Sequence, residues 1–250
     1  MKKHTLLKII CFPLKCIEFI FLCIFVGLFF IIIQPFFWCK TKGKQNLKKD
    51  DEARVFVSNH YEIYGPLIVF LRFPYRIKPW VLDKMTQPDT IEEQTKIGLY
   101  NNYKIIPKWI KFIIVKIVKR IFLFVLKFLR PIPVSRDNPR ANLKAMQQSV
   151  DALEKGIPIF LWPELHSVKS GVGEFMSGFE HIAKYYYQKT GKKISFYPVF
   201  TSRKRRTIFI EAPVIYNPEN DSNLEKERII NTLHDSMQKS YEINELNSKK

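Results

Sequence analysis

Residues 54–66 read Arg-Val-Phe-Val-Ser-Asn-His-Tyr-Glu-Ile-Tyr-Gly-Pro, a short apolar run followed at once by polar and turn-forming side chains. The run Arg54 to Val57 is typical of a buried β-strand. Pro66 predicts the start of a helix that continues to Phe73, because its missing N–H costs nothing in a first turn. The segment His60 to Gly65 is therefore a loop at a strand end, where α/β folds place their functional residues.

The same order of strand and polar loop occurs again about a hundred residues later. Residues 160–167 read Phe-Leu-Trp-Pro-Glu-Leu-His-Ser, and a strand is predicted over Ile157 to Trp162. Further strands are predicted at 78–82, 194–200 and 207–210, and further helices at 139–155, 173–189 and 223–245. Strands that alternate with helices predict an α/β domain with a mixed, largely buried sheet flanked by helices.

These two loops together resemble the glycerolipid acyltransferase family, the enzymes that acylate lysophosphatidic acid. The family's first motif is Asn-His, four residues and Asp, and Asn59-His60 matches its beginning. Its later motif is Pro-Glu-Gly-Thr-Arg, and Pro163-Glu164 matches the first two positions. Between them, Pro133-Val134-Ser135-Arg136 resembles the family's second block. The chain departs from the pattern at Gly65, which stands in place of the Asp, and at Ser167, which stands in place of the Arg.

The resemblance implies an O-acyltransferase that moves an acyl chain to the hydroxyl of a lysophospholipid-like acceptor. The donor is acyl-CoA or acyl-carrier protein, and no metal or bound cofactor is implied. His60 is the implied general base, a role that suits an imidazole because it titrates near neutral pH. Arg136 is the implied phosphate contact, since a guanidinium offers paired donors. Asn59 and Glu164 fall in the implied substrate-binding part of the site.

Gly65 leaves open which group orients the imidazole of His60. Residues two apart share a face of an extended segment, so Glu62 is the first candidate for the missing carboxylate. Asp83 or Glu164 could reach His60 from elsewhere in the fold, and a site with no orienting carboxylate is a further alternative. The same loss motivates a second interpretation, in which the chain is a catalytically degenerate relative that binds lipid or a carrier protein.

The residues after Pro163-Glu164 leave the phosphate contact open as well. Lys169 is the candidate for the cation missing at Ser167, and His166 is a second candidate for acid–base chemistry. Loop polar side chains of no special role are the alternative for both residues.

The N-terminal part predicts a membrane anchor with a basic flank at residues 1–48, before an acyltransferase-like domain at residues 49–250. Ile17 to Trp38 is almost wholly apolar, and about 20 such residues span a hydrocarbon core of about 30 Å. The denser basic flank that follows places the domain on the cytoplasmic side of the membrane, although a monotopic hairpin fits as well. The four cysteines lie in or beside this segment, which argues against a disulfide framework or a zinc site.

The formal net charge of +18 predicts a partner of opposite sign. Residues 108–130 carry lysines and arginines on one half of a predicted helix, aliphatic and aromatic side chains on the other, and no carboxylate. This pattern is typical of a helix that lies in an anionic lipid interface. We do not expect nucleic acid as a partner, because no reading motif accompanies the basic run Arg203 to Arg206.

Overall fold

A computed structural model of the chain describes residues 27–28, 31, 35, 37–47, 53–61, 64–165, 168 and 171–247. The chain divides into two compact units, Met1–Trp38 and Cys39–Lys250. Most of the predicted membrane segment Ile17 to Trp38 lies outside the described residues. Among the helices that are described, none is both long enough and apolar enough to cross a membrane.

The second unit is built on one mixed sheet, as the sequence predicted. In the described residues its strands are β1 Lys40–Lys42, β2 Arg54–Ser58, β3 Lys78–Leu82, β4 Ile132–Val134, β5 Ile159–Leu161, β6 Ser195–Ser202, β7 Thr207–Ile210 and β8 Val214–Ile215. They follow the order β1-β7-β6-β2-β5-β3-β4, and β8 pairs with β6. Strands β6, β2, β5, β3 and β4 run parallel, whereas β7 and β8 are antiparallel to β6.

Helices flank this sheet. They are α1 Tyr64–Arg72, α2 Pro88–Asn102, α3 Lys108–Leu129, α4 Pro139–Glu154, α5 His181–Thr190 and α6 Ser222–Tyr241, and α6 continues as a π-helical turn over Glu242–Leu246. The predicted start of α4 is confirmed, because the side chain of Asn138 accepts hydrogen bonds from the N–H groups of Arg140 and Ala141. Asp221 caps α6 in the same way.

Several element boundaries differ from the sequence-based prediction. The predicted helix at 173–189 is wrong in its first half, because it begins only at His181. Residues 173–176 instead pair with the loop after β5. The sheet also includes Lys40–Lys42, so the α/β unit begins at Cys39, before the predicted boundary at residue 49. Helix α2 occupies a stretch for which no element had been predicted.

The strand register brings the two motif loops together. Val57 of β2 is opposite Leu161 of β5, and Ser58 is opposite Val199 of β6. Since these strands are parallel, the loops that follow β2 and β5 leave the sheet side by side at its carboxyl edge, where ligand sites of α/β folds lie. Fully buried aromatic side chains of β2, β5 and β6 hold these strands in place: Phe56, Phe160, Phe196, Tyr197 and Phe200.

Candidate functional site

Glu164 links the two motif loops through its carboxylate. One oxygen, Oε2, accepts a hydrogen bond of 2.9 Å from the backbone N–H of His60, and the other, Oε1, accepts one of 2.9 Å from the backbone N–H of Gly173. The side chain is buried, and this burial raises the pKa of Glu164, whereas the two backbone hydrogen bonds lower it. Both oxygens are thus occupied by the protein, and Glu164 fixes the backbone from which the imidazole of His60 projects.

The segment after Glu164 returns alongside it as a short antiparallel pairing. The N–H of Leu165 donates to the carbonyl of Glu174, and the N–H of Met176 donates to the carbonyl of Pro163. This pairing places the N–H of Gly173 within hydrogen-bond distance of the Glu164 carboxylate. It also uses backbone groups that a helix starting at residue 173 would need, which explains why that predicted helix is absent here.

Asn59 holds the end of β2 against β6. Its Oδ1 accepts hydrogen bonds of 2.8 Å from both the N–H and the hydroxyl of Thr201, and its Nδ2 donates to the Thr201 carbonyl at 3.3 Å. The residue is fully buried. These bonds fix Asn59 to β6, and a substrate contact by Asn59 stays a prediction.

His60 lies against an aromatic wall at the carboxyl edge of the sheet. Its ring is 6.2 Å from the ring of Trp162, centroid to centroid, in an edge-to-face arrangement. Trp162 packs in turn on Phe160 and Phe70. Tyr61, the next residue in the chain, has a φ of 38°, and this left-handed conformation turns the backbone sharply after His60. The imidazole is therefore partly buried beside apolar rings.

Trp162 is a site residue that the sequence motifs do not single out. Its indole Nε1–H is buried and has no hydrogen-bond acceptor among the residues that the structure describes. A buried indole normally finds a hydrogen-bond partner, and this donor belongs to the ring that packs beside His60. The signal in the sequence was only an aromatic residue directly before Pro163-Glu164.

Gly65, the position of the family's Asp, approaches the motif backbone too closely to carry a side chain. A Cβ at this residue would lie 2.2 Å from the carbonyl oxygen of His60 and 3.2 Å from that of Asn59. The close approach arises because α1 begins at Tyr64, two residues before Pro66, and the N–H of Gly65 donates to the carbonyl of Tyr61. The departure from the family pattern is therefore one of backbone geometry as well as of residue type.

Arg136, two residues after the end of β4, contacts the motif loop that follows β5. It is exposed, and its Nη2 donates a hydrogen bond of 2.9 Å to the carbonyl of Leu165. The second block of the sequence pattern thus meets the residue that follows Glu164. The candidate residues Glu62, His166 and Lys169 lie outside the described residues.

Replacing Glu164 tests the linkage between the loops. We expect Glu164→Gln to lower the free energy of unfolding by about 1–3 kcal/mol. The amide nitrogen of Gln cannot accept a hydrogen bond, so one of the two backbone N–H groups would lose its acceptor. Urea unfolding of the detergent-solubilised full chain measures this loss. The matched control is Glu174→Gln, an exposed carboxyl on the paired segment, which should unfold like wild type. Equal unfolding free energies for the two variants would contradict the role given to Glu164.

Comparison with known proteins finds acyltransferases. No protein-family model matches the chain. Over 149 residues, or 59% of the chain, it is 24% identical to a chloroplastic 1-acyl-sn-glycerol-3-phosphate acyltransferase of Arabidopsis thaliana. Over 149 residues it is 25% identical to the corresponding chloroplastic protein of Brassica napus. The matched part spans about a third of the length of these relatives, 33% and 34%.

Among solved structures, the 1-acyl-sn-glycerophosphate acyltransferase of Thermotoga maritima is similar to this chain. The superposition has a TM-score of 0.44 with 16% sequence identity, and it covers 88% of this chain and 78% of that one.

Proposed function

We propose that this protein is an O-acyltransferase that acts on a lysophospholipid-like acceptor. Its curated relatives confirm the resemblance to the glycerolipid acyltransferase family. The observation that carries the proposal is the meeting of three sequence blocks at one edge of the sheet. The backbone of His60 is bonded to Glu164, and Arg136 is bonded to Leu165, the residue that follows Glu164. A general base and an open cation thus border the same loop.

His60 acts as the base in the proposed reaction. Its imidazole takes the proton of the acceptor hydroxyl as that oxygen attacks the carbonyl carbon of the thioester. A C–O bond forms and the C–S bond breaks, and the proton passes to the departing sulfur. Acyl-CoA is the proposed donor, and acyl-carrier protein is the alternative. The apolar wall around His60, with Trp162 at its centre, keeps water away from the base.

An acyl-transfer assay tests the function itself. The full chain, purified in detergent, is given a radiolabelled acyl donor and a panel of lysophospholipids and monoacylglycerols. The donor is acyl-CoA in one series and acyl-carrier protein loaded with the same acyl chain in the other. We expect acylation of lysophosphatidic acid above a protein-free blank. A chain that acylates no acceptor with either donor contradicts the proposal.

Arg136 is the proposed contact for the acceptor phosphate. One N–H of its guanidinium donates to the Leu165 carbonyl, and the residue is exposed. We expect Arg136→Ala to raise the KM for lysophosphatidic acid by about 10–100-fold, since a charge-assisted hydrogen bond contributes about 1.5–3 kcal/mol. The KM for an acceptor without phosphate should not change.

Steady-state kinetics with both acceptors measure this difference. Arg140→Ala is the matched control, because Arg140 is an exposed arginine four residues further on, in the first turn of α4. If Arg136→Ala affects both acceptors alike, the phosphate contact is wrong.

Gly65 favours a second candidate function, that of a relative which binds a lysophospholipid without acylating it. The chain has no room for the family's Asp at that position. Saturable binding of lysophosphatidic acid without product formation would support this candidate over the enzyme.

Glu62 as the carboxylate that orients His60, His166 as a second acid–base group and Lys169 as a second phosphate contact stay predictions. Attachment to a membrane with the α/β unit on the cytoplasmic side, and an anionic lipid partner, are further parts of the proposal. They rest on the sequence of residues 1–48 and on the basic helix α3.

A further inference from the structure

Helices α2 and α3 pack against each other and are joined by residues 103–107. Some lysines of α3 point toward α2. Lys111 is only 5% exposed, and its ammonium lies 4.7 Å from the ring centroid of Tyr100 on α2. Lys119 donates a hydrogen bond of 2.7 Å to Glu92, also on α2. The carboxylates that α3 lacks are therefore supplied by its neighbour.

Glu92 is the centre of this internal charge pairing. Besides Lys119 it contacts Lys96 at 2.8 Å and Lys116 at 3.8 Å. The hydrogen bonds from Lys119 and Lys96 lower the pKa of Glu92 to about 2. The prediction that the whole basic half of α3 lies in a lipid interface is thus corrected, because part of that half pairs with α2.

The outer side of the pair exposes apolar side chains to an unusual degree. Ile105 is 98% exposed, Phe128 is 80% exposed and Trp109 is 67% exposed. Of the twenty large hydrophobic side chains exposed in the described residues, ten lie between Ile97 and Phe128. Patches of this kind in a soluble protein mark an interaction surface.

Cations are interleaved with these apolar side chains. At about 100° per residue, most of the exposed residues of α3 fall within roughly half of the helix circumference, and Val118 lies outside it. The apolar members of this arc are Trp109, Phe112, Ile113, Ile117 and Phe128, and its cations are Arg120 and Lys127. Lys116 falls within the same arc but contacts Glu92 of α2. We call this surface, together with Ile105, the outer face. No residue of α3 is acidic.

We infer that the outer face docks on the surface of an anionic lipid bilayer. The apolar side chains enter the boundary between headgroups and acyl chains, and Arg120 and Lys127 meet lipid phosphates. A bilayer supplies hydrocarbon and negative charge together, whereas a second copy of the chain would bring cations against cations. The inference rests on the proposed function in one respect: a lipid acceptor would reach the site from the membrane on which the outer face docks.

A fluorescent label on the outer face tests this docking in the full chain. Cys11, Cys16, Cys23 and Cys39 are changed to Ala, and Ile105→Cys carries an environment-sensitive NBD group. The protein is reconstituted into vesicles of phosphatidylcholine and phosphatidylglycerol. Because the label reports its own surroundings, the predicted anchor does not determine the result.

We expect a blue shift, a several-fold rise in emission, and quenching by nitroxides on the lipid acyl chains. The matched control is the same label at Leu224→Cys on α6, a position that is also exposed, where emission should stay that of water. An aqueous spectrum at position 105 in anionic vesicles overturns the inference. A blue shift that appears in detergent without lipid and grows with protein concentration also overturns it, since it reports a second copy.

Charge reversal tests the contribution of the cations. In the labelled background, Arg120→Glu with Lys127→Glu should abolish the difference in blue shift between anionic and purely zwitterionic vesicles. Lys144→Glu with Lys184→Glu is the control, because both lysines are exposed on other helices, α4 and α5. Circular dichroism checks that each variant is folded. If the reversed pair behaves like the control pair, the assignment of lipid phosphates to Arg120 and Lys127 is wrong. None of these readouts depends on acyl transfer, so failure here is distinct from failure of the proposed enzyme.

Discussion

His60→Ala is expected to reduce acyl transfer to lysophosphatidic acid by about 10²–10⁴-fold, the range typical of losing a positioned general base. The residue lies at the carboxyl edge of the sheet, against Trp162 and directly after the end of β2. The substitution removes only the imidazole. The backbone N–H that donates to Glu164 remains, so the two motif loops should stay linked. Initial rates at saturating acceptor, with radiolabelled acyl-CoA, measure the loss.

Two controls keep this result specific. His181→Ala removes a half-exposed histidine in the first turn of α5 and should leave the rate unchanged. Urea unfolding should show that His60→Ala is folded, with a loss of no more than about 0.5–1.5 kcal/mol, because the ring contact with Trp162 is removed and no backbone hydrogen bond is lost. A variant that folds and retains the wild-type rate would show that His60 is not the base, and it would leave lipid binding as the better account of the chain.

Gly65→Asp is expected to destabilise the fold by about 3 kcal/mol or more and to abolish activity, although it restores the family's motif on paper. The new Cβ would lie 2.2 Å from the His60 carbonyl oxygen, which is backbone and cannot rotate away. Any relief requires α1 to move relative to the loop that carries His60. Urea unfolding and the acyl-transfer assay measure the two losses.

Gly65→Ala separates the steric effect from the effect of charge. It should also lower the free energy of unfolding, because the clash begins at Cβ. The matched control is Gly98→Ala within α2, where no atom lies within 4 Å of the added carbon. For Gly98→Ala we expect the free energy of unfolding to rise by about 0.5–1 kcal/mol, because alanine loses less conformational entropy than glycine in a helix. A Gly65→Asp variant that is stable and more active than wild type would contradict this geometry and favour a degenerate parent.

The parts of the fold that sequence predicted well carry their signal locally. Apolar runs marked β2, β3 and β7, and the Asn138-Pro139 pair marked the start of α4. Strands β1 and β4 were not predicted, because β1 is Lys-Thr-Lys with no apolar residue and β4 has Pro133 at its centre. Helix α2 was missed because its charged and apolar residues do not divide into two clear faces until Glu92 is seen to pair with lysines of α3.

By itself, the sequence determined the class of the fold, the order of the motif blocks and the choice of His60 and Arg136 as candidates, because each depends on residues that are neighbours in the chain. Only the tertiary structure decided what Glu164 and Gly65 do. Glu164 meets His60 across 104 positions of sequence, and the space at Gly65 depends on where α1 begins relative to the end of β2. Strand register and helix packing set such distances, and both arise from burial of the whole sheet rather than from any local pattern.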